Sequence, residues 1–287
     1  MNLSLSRSFP IAKAALAAVV IACAVVLTCS LAGCASGGTD SISAGTDSTS
    51  ASTDSKTLRV AMELAYPPFE TKDDAGNPEG LAVDFIRDFG AAYGYDVQIE
   101  NTAWDGLIPS LQSDKADLVI SSMTITDERK QSVDFSDAYA MAQLAILANA
   151  DSGVASIDDL NQPGKKVAVK TGSTGDVYVT KNLPNAEIVR LADESACVTE
   201  VVQGKADGFL YDQLTIYRNH EANPDTTEAV FIPFQDAEEW GIAVKKGNTE
   251  LLDQLNAFIA QSKTDGEFDR LTEKYLSEEK KAFDQYG

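Results

Sequence analysis

The sequence predicts an α/β protein of two layered units, and three observations carry that expectation. From residue 57 onward strand-like and helix-like patterns alternate, as they do in layered α/β domains. The alternation starts again at residue 165, so the pattern occurs twice. Ahead of both lies residues 35–56, a run of Ser, Thr, Gly and Asp with hardly a bulky apolar side chain, which cannot bury enough surface to fold. At 287 residues the chain has room for one large domain or two modest ones. Its net charge of −21 argues against a nucleic-acid or anionic-membrane surface, since either needs basic patches.

Each element can be justified in turn. The alternating run over 57–62 is a first strand; helix spacing follows over 83–93 and 104–113, with strand patterns over 95–100 and 117–121. In the second unit Lys166-Val167-Ala168-Val169-Lys170 is a strand that ends at a glycine turn. A helix over 174–181, a strand over 187–191, a helix over 193–204, a strand over 208–211, a helix over 213–221 and a strand over 229–233 follow. Ile242-Ala243-Val244 then leads into helices over 249–263 and 268–276. Periodicity alone leaves open how the two units connect.

The N-terminus has a different logic. Arg7 and Lys13 precede an apolar run over 14–31, the charged-then-apolar order of a secretory signal. A spanning helix is the alternative. Against it stands Leu31-Ala32-Gly33-Cys34, which resembles a bacterial lipobox, where small residues admit the signal peptidase and the cysteine is acylated, palmitate being one such chain. The expected organisation is a signal peptide over 1–33, a lipid-bearing Cys34, and a flexible linker to residue 56 with a reach of about 25 Å. The protein would sit at the outer face of the cytoplasmic membrane, or in a periplasm, on acyl chains rather than on a helix. Cys23 and Cys29 leave with the signal, so Cys197 remains alone, and neither an internal disulfide nor a cysteine-rich metal site is expected. Within the predicted helix over 193–204, Cys197 reads as a small buried core residue.

The chemistry concentrates at Ser121-Ser122-Met123-Thr124-Ile125-Thr126-Asp127-Glu128-Arg129. It follows the β-rich run Ala116-Asp117-Leu118-Val119-Ile120 and precedes an expected helical turn, with Thr126 as N-cap candidate and acidic residues behind it. Free N–H groups at such a helix start suit an anion. Arg129 carries a planar fork of donors that matches a carboxylate bidentately. Ser121, Ser122 and Thr124 add hydroxyls and carbonyls. A small molecule bearing both a carboxylate and an ammonium fits this set.

That stretch closely resembles the signature of the amino-acid-binding proteins of bacterial ABC importers, the bilobed extracellular solute-binding family. Further motifs follow in the family's order: Ala65-Tyr66-Pro67-Pro68-Phe69-Glu70, Gly80-Leu81-Ala82-Val83-Asp84-Phe85, Trp104-Asp105-Gly106-Leu107-Ile108-Pro109 and Val133-Asp134-Phe135-Ser136. Lys170-Thr171-Gly172-Ser173-Thr174, Ala206-Asp207-Gly208-Phe209-Leu210-Tyr211-Asp212 and Trp240-Gly241-Ile242-Ala243-Val244 complete the series. Two departures stand out: Ala82 replaces an acidic residue, and Ala138 stands where the family often has proline. The resemblance implies a two-lobed periplasmic-binding-protein fold with two crossing hinge segments. Lobe 1 would span 57–141 and 240–287, lobe 2 would span 142–239, and the ligand would lie in the cleft between them.

It also implies roles. Arg129 would clasp the ligand's α-carboxylate, the alternative being an exposed arginine paired with Glu128 or Asp127. Backbone N–H groups of Thr124 and Thr174 would serve the same carboxylate. Ser121 belongs to the same corner, and Gly172 would let the backbone approach closely or would simply make a strand-to-helix turn. Asp212 would pair with the ligand's ammonium, helped by the Ser122 carbonyl and the Thr124 hydroxyl, and would also fit as N-cap of the next helix. Tyr66 and Trp104 would place rings around the ligand's side chain, although Trp104 fits an ordinary core role as well. Glu63 would favour a polar or cationic side chain: arginine, lysine, ornithine, glutamine or cystine.

The function so implied is that of a substrate-binding receptor, a monomer without cofactor or metal, that hands an amino acid to an ABC permease and its ATPase. The competing class is an enzyme, because cyclohexadienyl (prephenate or arogenate) dehydratases share the fold. The lipobox and the Asp212 match favour the receptor.

Overall fold

A computed structural model of the chain describes residues 56–286. The expected signal peptide, Cys34 and the linker up to residue 55 lie outside the described residues, and Lys56 opens the first strand. The chain runs through β1 (Lys56–Met62), the short pair β2 (Thr71–Lys72) and β3 (Pro78–Glu79), α1 (Leu81–Tyr93) and β4 (Tyr95–Asn101). A 3-10 turn (Trp104–Gly106) leads into α2 (Leu107–Gln112) and β5 (Leu118–Val119). Next come a second 3-10 turn (Arg129–Gln131), β6 (Val133–Phe135), β7 (Ala140–Ala142), β8 (Leu144–Asn149) and the single turn α3 (Ile157–Leu160). The middle of the chain supplies β9 (Lys166–Lys170), α4 (Thr174–Asn182), β10 (Glu187–Leu191), α5 (Glu194–Val202), β11 (Gly208–Asp212), α6 (Gln213–Ala222) and β12 (Thr227–Val230). It ends with β13 (Glu238–Trp240), β14 (Ala243–Lys245), α7 (Thr249–Asp265) and α8 (Glu267–Tyr286).

Two five-stranded sheets result, ordered β4-β1-β5-β14-β6 and β10-β9-β11-β8-β12. In the first, β1 is parallel to β4 and β5, and β14 is antiparallel to β5 and β6. In the second, β9 is parallel to β10 and β11, while β8 is antiparallel to β11 and β12. Between the sheets β7 and β13 pair with each other, Ala140 opposite Trp240 and Ala142 opposite Glu238. These are the two crossing segments of the two-lobed fold.

Strand periodicity explains how each sheet buries both faces. In β9, Val167 and Val169 pack on one side and Ala168 on the other, in two separate cores. In β1, Val60 and Met62 join one core and Ala61 the other. Helix α1 buries Leu81, Ala82, Phe85, Ile86 and Phe89, the three-and-four spacing of an amphipathic helix. Phe258 of α7 meets the Phe85 ring at 5.1 Å between centroids. Cys197 lies buried in α5, as its helical position suggests.

Two expectations change. No α-helix begins at Thr126: the Thr126 hydroxyl accepts from the Arg129 N–H at 3.2 Å, but only the 3-10 turn at 129–131 forms before β6 starts at Val133. A three-residue turn carries little dipole, so a helix-start argument for anion binding at this corner fails and the side chains must do the work. The last helix also runs past residue 276, with non-helical angles at Leu276 (φ −129°, ψ 15°) where the sequence pattern stops.

One glycine positions the site. Gly80 holds φ 132°, open to glycine but strained for other residues, and a Cβ there would run into the Phe69 and Pro68 carbonyls. Those carbonyls accept from the Leu81 and Ala82 N–H groups, tying the 66–70 loop to the start of α1. Gly80→Ala is therefore expected to cost about 3 kcal/mol or more in urea unfolding.

Candidate functional site

The ends of β1, β5, β9 and β11, with β13, surround a cavity of about 470 Å³ of unfilled space, part of it open to solvent. Nine of the ten ligand-contact candidates line it: Glu63, Tyr66, Trp104, Ser121, Ser122, Thr124, Arg129, Thr174 and Asp212. Gly172 is not among the lining residues. It stands just behind, at φ 74°, and its carbonyl accepts from Arg129 Nη2 at 3.1 Å.

The residues from the first sheet are held by backbone bonds. Glu63 follows β1, and its N–H donates to Ser121 Oγ at 3.0 Å. Tyr66 sits in a tight loop closed by Tyr66 N to Glu70 O at 2.7 Å. Its ring contacts Phe69, Trp240 and Tyr211 at 5.6, 5.9 and 6.0 Å between centroids. Ser122 takes a left-handed conformation, φ 46°, uncommon for a serine, and donates its hydroxyl to Glu70 Oε2 at 3.1 Å. Arg129 Nη1 donates to the Thr124 carbonyl at 2.7 Å, while the guanidinium lies 5.2 Å from the Trp104 ring centroid.

From the second sheet, Ser173 caps α4 by accepting from Asp176 N at 3.2 Å, which leaves Thr174 in the first turn with an outward N–H. Asp212 ends β11 and caps α6: Oδ1 accepts from Leu214 N and Thr215 N, both at 3.0 Å. Its capping role is thus realised. The second oxygen, Oδ2, is buried without a hydrogen-bond partner, and so is the Tyr66 hydroxyl. That hydroxyl lies close enough to lower the Asp212 pKa somewhat, yet burial wins and pushes the carboxyl above its ordinary value.

Several site groups are not among the sequence candidates. Lys170 at the end of β9 forms an ion pair with Glu63, bridging the ends of the two sheets, and lies 5.2 Å from the Trp104 ring. Trp104 therefore faces two cations. Glu238 Oε2 accepts from the Thr124 hydroxyl at 2.9 Å and from the Thr174 hydroxyl at 2.7 Å. The Thr124 hydroxyl, expected to assist an ammonium, is engaged there instead. Glu70 lines the cavity at 1% exposure, and burial raises its pKa well above the usual carboxylate range. Burial also lowers the Arg129 pKa, with the Glu238 charge opposing it. Lys170 was visible beside the glycine turn of its motif. Glu238 had no local signal, since its partners are 114 and 64 residues away.

Donors able to hold an anion and carboxylates able to hold a cation thus converge from both sheets. The sequence matches the bacterial extracellular solute-binding proteins, family 3, over residues 58–278. The chain belongs to that family. It is 34% identical over 262 residues to a probable histidine-binding protein of Neisseria gonorrhoeae, covering 89% of this chain and 95% of the relative. It is 32% identical over 222 residues to the L-cystine-binding protein of Escherichia coli K12, covering 77% and 82%. Among solved structures it resembles an ancestral amino acid-binding protein, described as a precursor of cyclohexadienyl dehydratase, at 38% identity and a TM-score of 0.71, covering 77% of this chain and 95% of that one. Membership accounts for the paired sheets and the cleft, and the side chains inside it carry the specificity.

Proposed function

We propose that this family member is the substrate-binding receptor of an ABC importer, capturing an amino acid between lobes 57–141 with 240–287 and 142–239. The observation that carries the reading is the division of the charged groups. Arg129 and Thr124 stand beside the first sheet and Thr174 and Asp212 beside the second, so a ligand touching all four binds the closed state better than the open one. Arg129 with Thr124 and Thr174 takes the carboxylate, and the free oxygen of Asp212 takes the ammonium. An ammonium clasp has no use in prephenate, which supports a binding protein over the dehydratase. The receptor works as a monomer, acylated at Cys34 on the outer face of the membrane, and delivers to a permease and its ATPase.

Within the polar and cationic amino acids, the Glu63–Lys170 pair narrows the choice. Glu63 lines the cavity and Lys170 is paired to it just behind that lining, so the tip of a bound side chain meets an acceptor backed by a donor. An amide, an imidazole or the distal zwitterion of cystine satisfies both, whereas the guanidinium of arginine or the ammonium of lysine or ornithine meets Lys170 as a like charge. In a thermal-shift screen of the full chain against the twenty amino acids, cystine, ornithine and prephenate, glutamine, histidine or cystine is expected to raise the melting temperature most. Lys170→Met frees Glu63 and is expected to improve arginine or lysine binding roughly tenfold. A shift with prephenate alone, accompanied by its turnover, would favour the enzyme.

A further inference from the structure

Glu238 stands in the crossing strand β13, and its carboxylate is shared between the lobes. Oε1 accepts from Gln235 Nε2 at 2.7 Å, and Oε2 accepts from the Thr124 and Thr174 hydroxyls at 2.9 and 2.7 Å. Thr124 follows β5 of the first sheet and Thr174 opens α4 beside the second, so one oxygen ties the two lobes together. Arg129 and the backbone N–H groups of these same threonines are the donors assigned to the ligand's carboxylate, so that carboxylate would stand in the corner Glu238 lines. Two ionised carboxylates in one corner repel. A ligand carboxylate and Glu238 therefore compete for the same place.

We propose that Glu238 is an internal occupant of the carboxylate corner, holding the lobes together until a ligand's carboxylate displaces it. The ligand half of this rests on the receptor reading above; the interlobe tie does not. Only molecules that have released Glu238 are competent to bind, and apparent affinity falls by that fraction. The opposite role is also concrete: a carboxylate fixed by Gln235 and two threonines would serve as a contact for the ligand's ammonium, and its loss would weaken binding.

The chain's two tryptophans, Trp104 and Trp240, both line this cavity, so acrylamide quenching of the full-length protein in detergent micelles reports how open the cleft is. With no amino acid added, Glu238→Ala is expected to raise the quenching constant about twofold, and to tighten binding of L-glutamine, L-histidine or L-cystine roughly fivefold. Glu238→Gln keeps the size and an acceptor oxygen, so it should quench like the wild type, yet it binds more tightly because the charge that repels the ligand's carboxylate is gone. If the alanine variant does not fold, the glutamine variant's affinity decides. Unchanged quenching in Glu238→Ala, or weaker binding in either variant, overturns the proposal. Should the wild type bind none of the three amino acids, the receptor reading fails, and the quenching comparison alone decides the interlobe tie.

Discussion

Arg129→Ala is expected to lower the affinity for an amino-acid ligand by at least about 100-fold, because a buried charge-assisted contact to a carboxylate costs roughly 3–5 kcal/mol when one partner is removed. Calorimetric titration with the ligand found in the screen measures it. Two of the guanidinium's donors are already directed at the Thr124 and Gly172 carbonyls, which fixes the plane of the fork against Trp104 and leaves the remaining N–H groups for the ligand. Arg129→Lys keeps the charge but loses the fork, so an intermediate loss, about 10-fold, separates geometry from charge. If Arg129→Ala changes affinity less than threefold while Arg129→Ala and wild type melt apart, the arginine is a strut between the Thr124 and Gly172 backbones and not a ligand contact.

The fold was legible where segments are long and periodic. Strand β9 with its buried Val167-Ala168-Val169, helix α1 and the helices near 194–202 and 249–265 follow the spacing of their apolar residues. What escaped was short or nonlocal. Strands β6, β7 and β13 have three residues each, too few to show a period, and the buried run of β8 carries no alternation to mark it. The expected helix after Thr126 failed because capping chemistry was present but room was not: β6 pairs with β14 from Val133 onward. In the site, the motifs that reach the cavity wall are those just past β1, β4, β5 and β9 or at the ends of β11 and β13, whereas the motif over 80–85 opens α1 and the one over 133–136 contains β6, away from it. Glu70 and Glu238 were missed because what matters about them is what they face across the cleft, Ser122 for one and two distant threonines for the other.

Asp212→Asn should separate binding from folding in opposite directions. Asparagine keeps a side-chain oxygen to accept from the Leu214 and Thr215 N–H groups, so the cap on α6 survives. It replaces the unpartnered buried Oδ2 with an uncharged group, removing the cost of an ionised carboxylate in a dry site. The unliganded protein should therefore gain about 1 kcal/mol at neutral pH, an upward shift of roughly 3 °C in melting temperature. Ligand affinity should fall by about 100-fold or more, because the ammonium loses its charged partner. The pH dependence follows from the same group. A carboxyl whose pKa is raised by folding contributes stability that is complete below its unfolded value, near 3.8, and is lost as pH rises through the folded value. Glu70, raised for the same reason of burial, acts with the same sign. As pH is lowered toward those raised values, the unliganded protein should hold or gain stability from these two groups while the ligand-induced shift shrinks, since the ammonium needs Asp212 ionised. In Asp212→Asn the Asp212 share of that dependence disappears. A ligand shift that stays independent of pH from neutrality down to the ordinary carboxyl value of 3.8 in both proteins, with affinity unchanged, would remove Asp212 from the ammonium site and leave it only the helix cap.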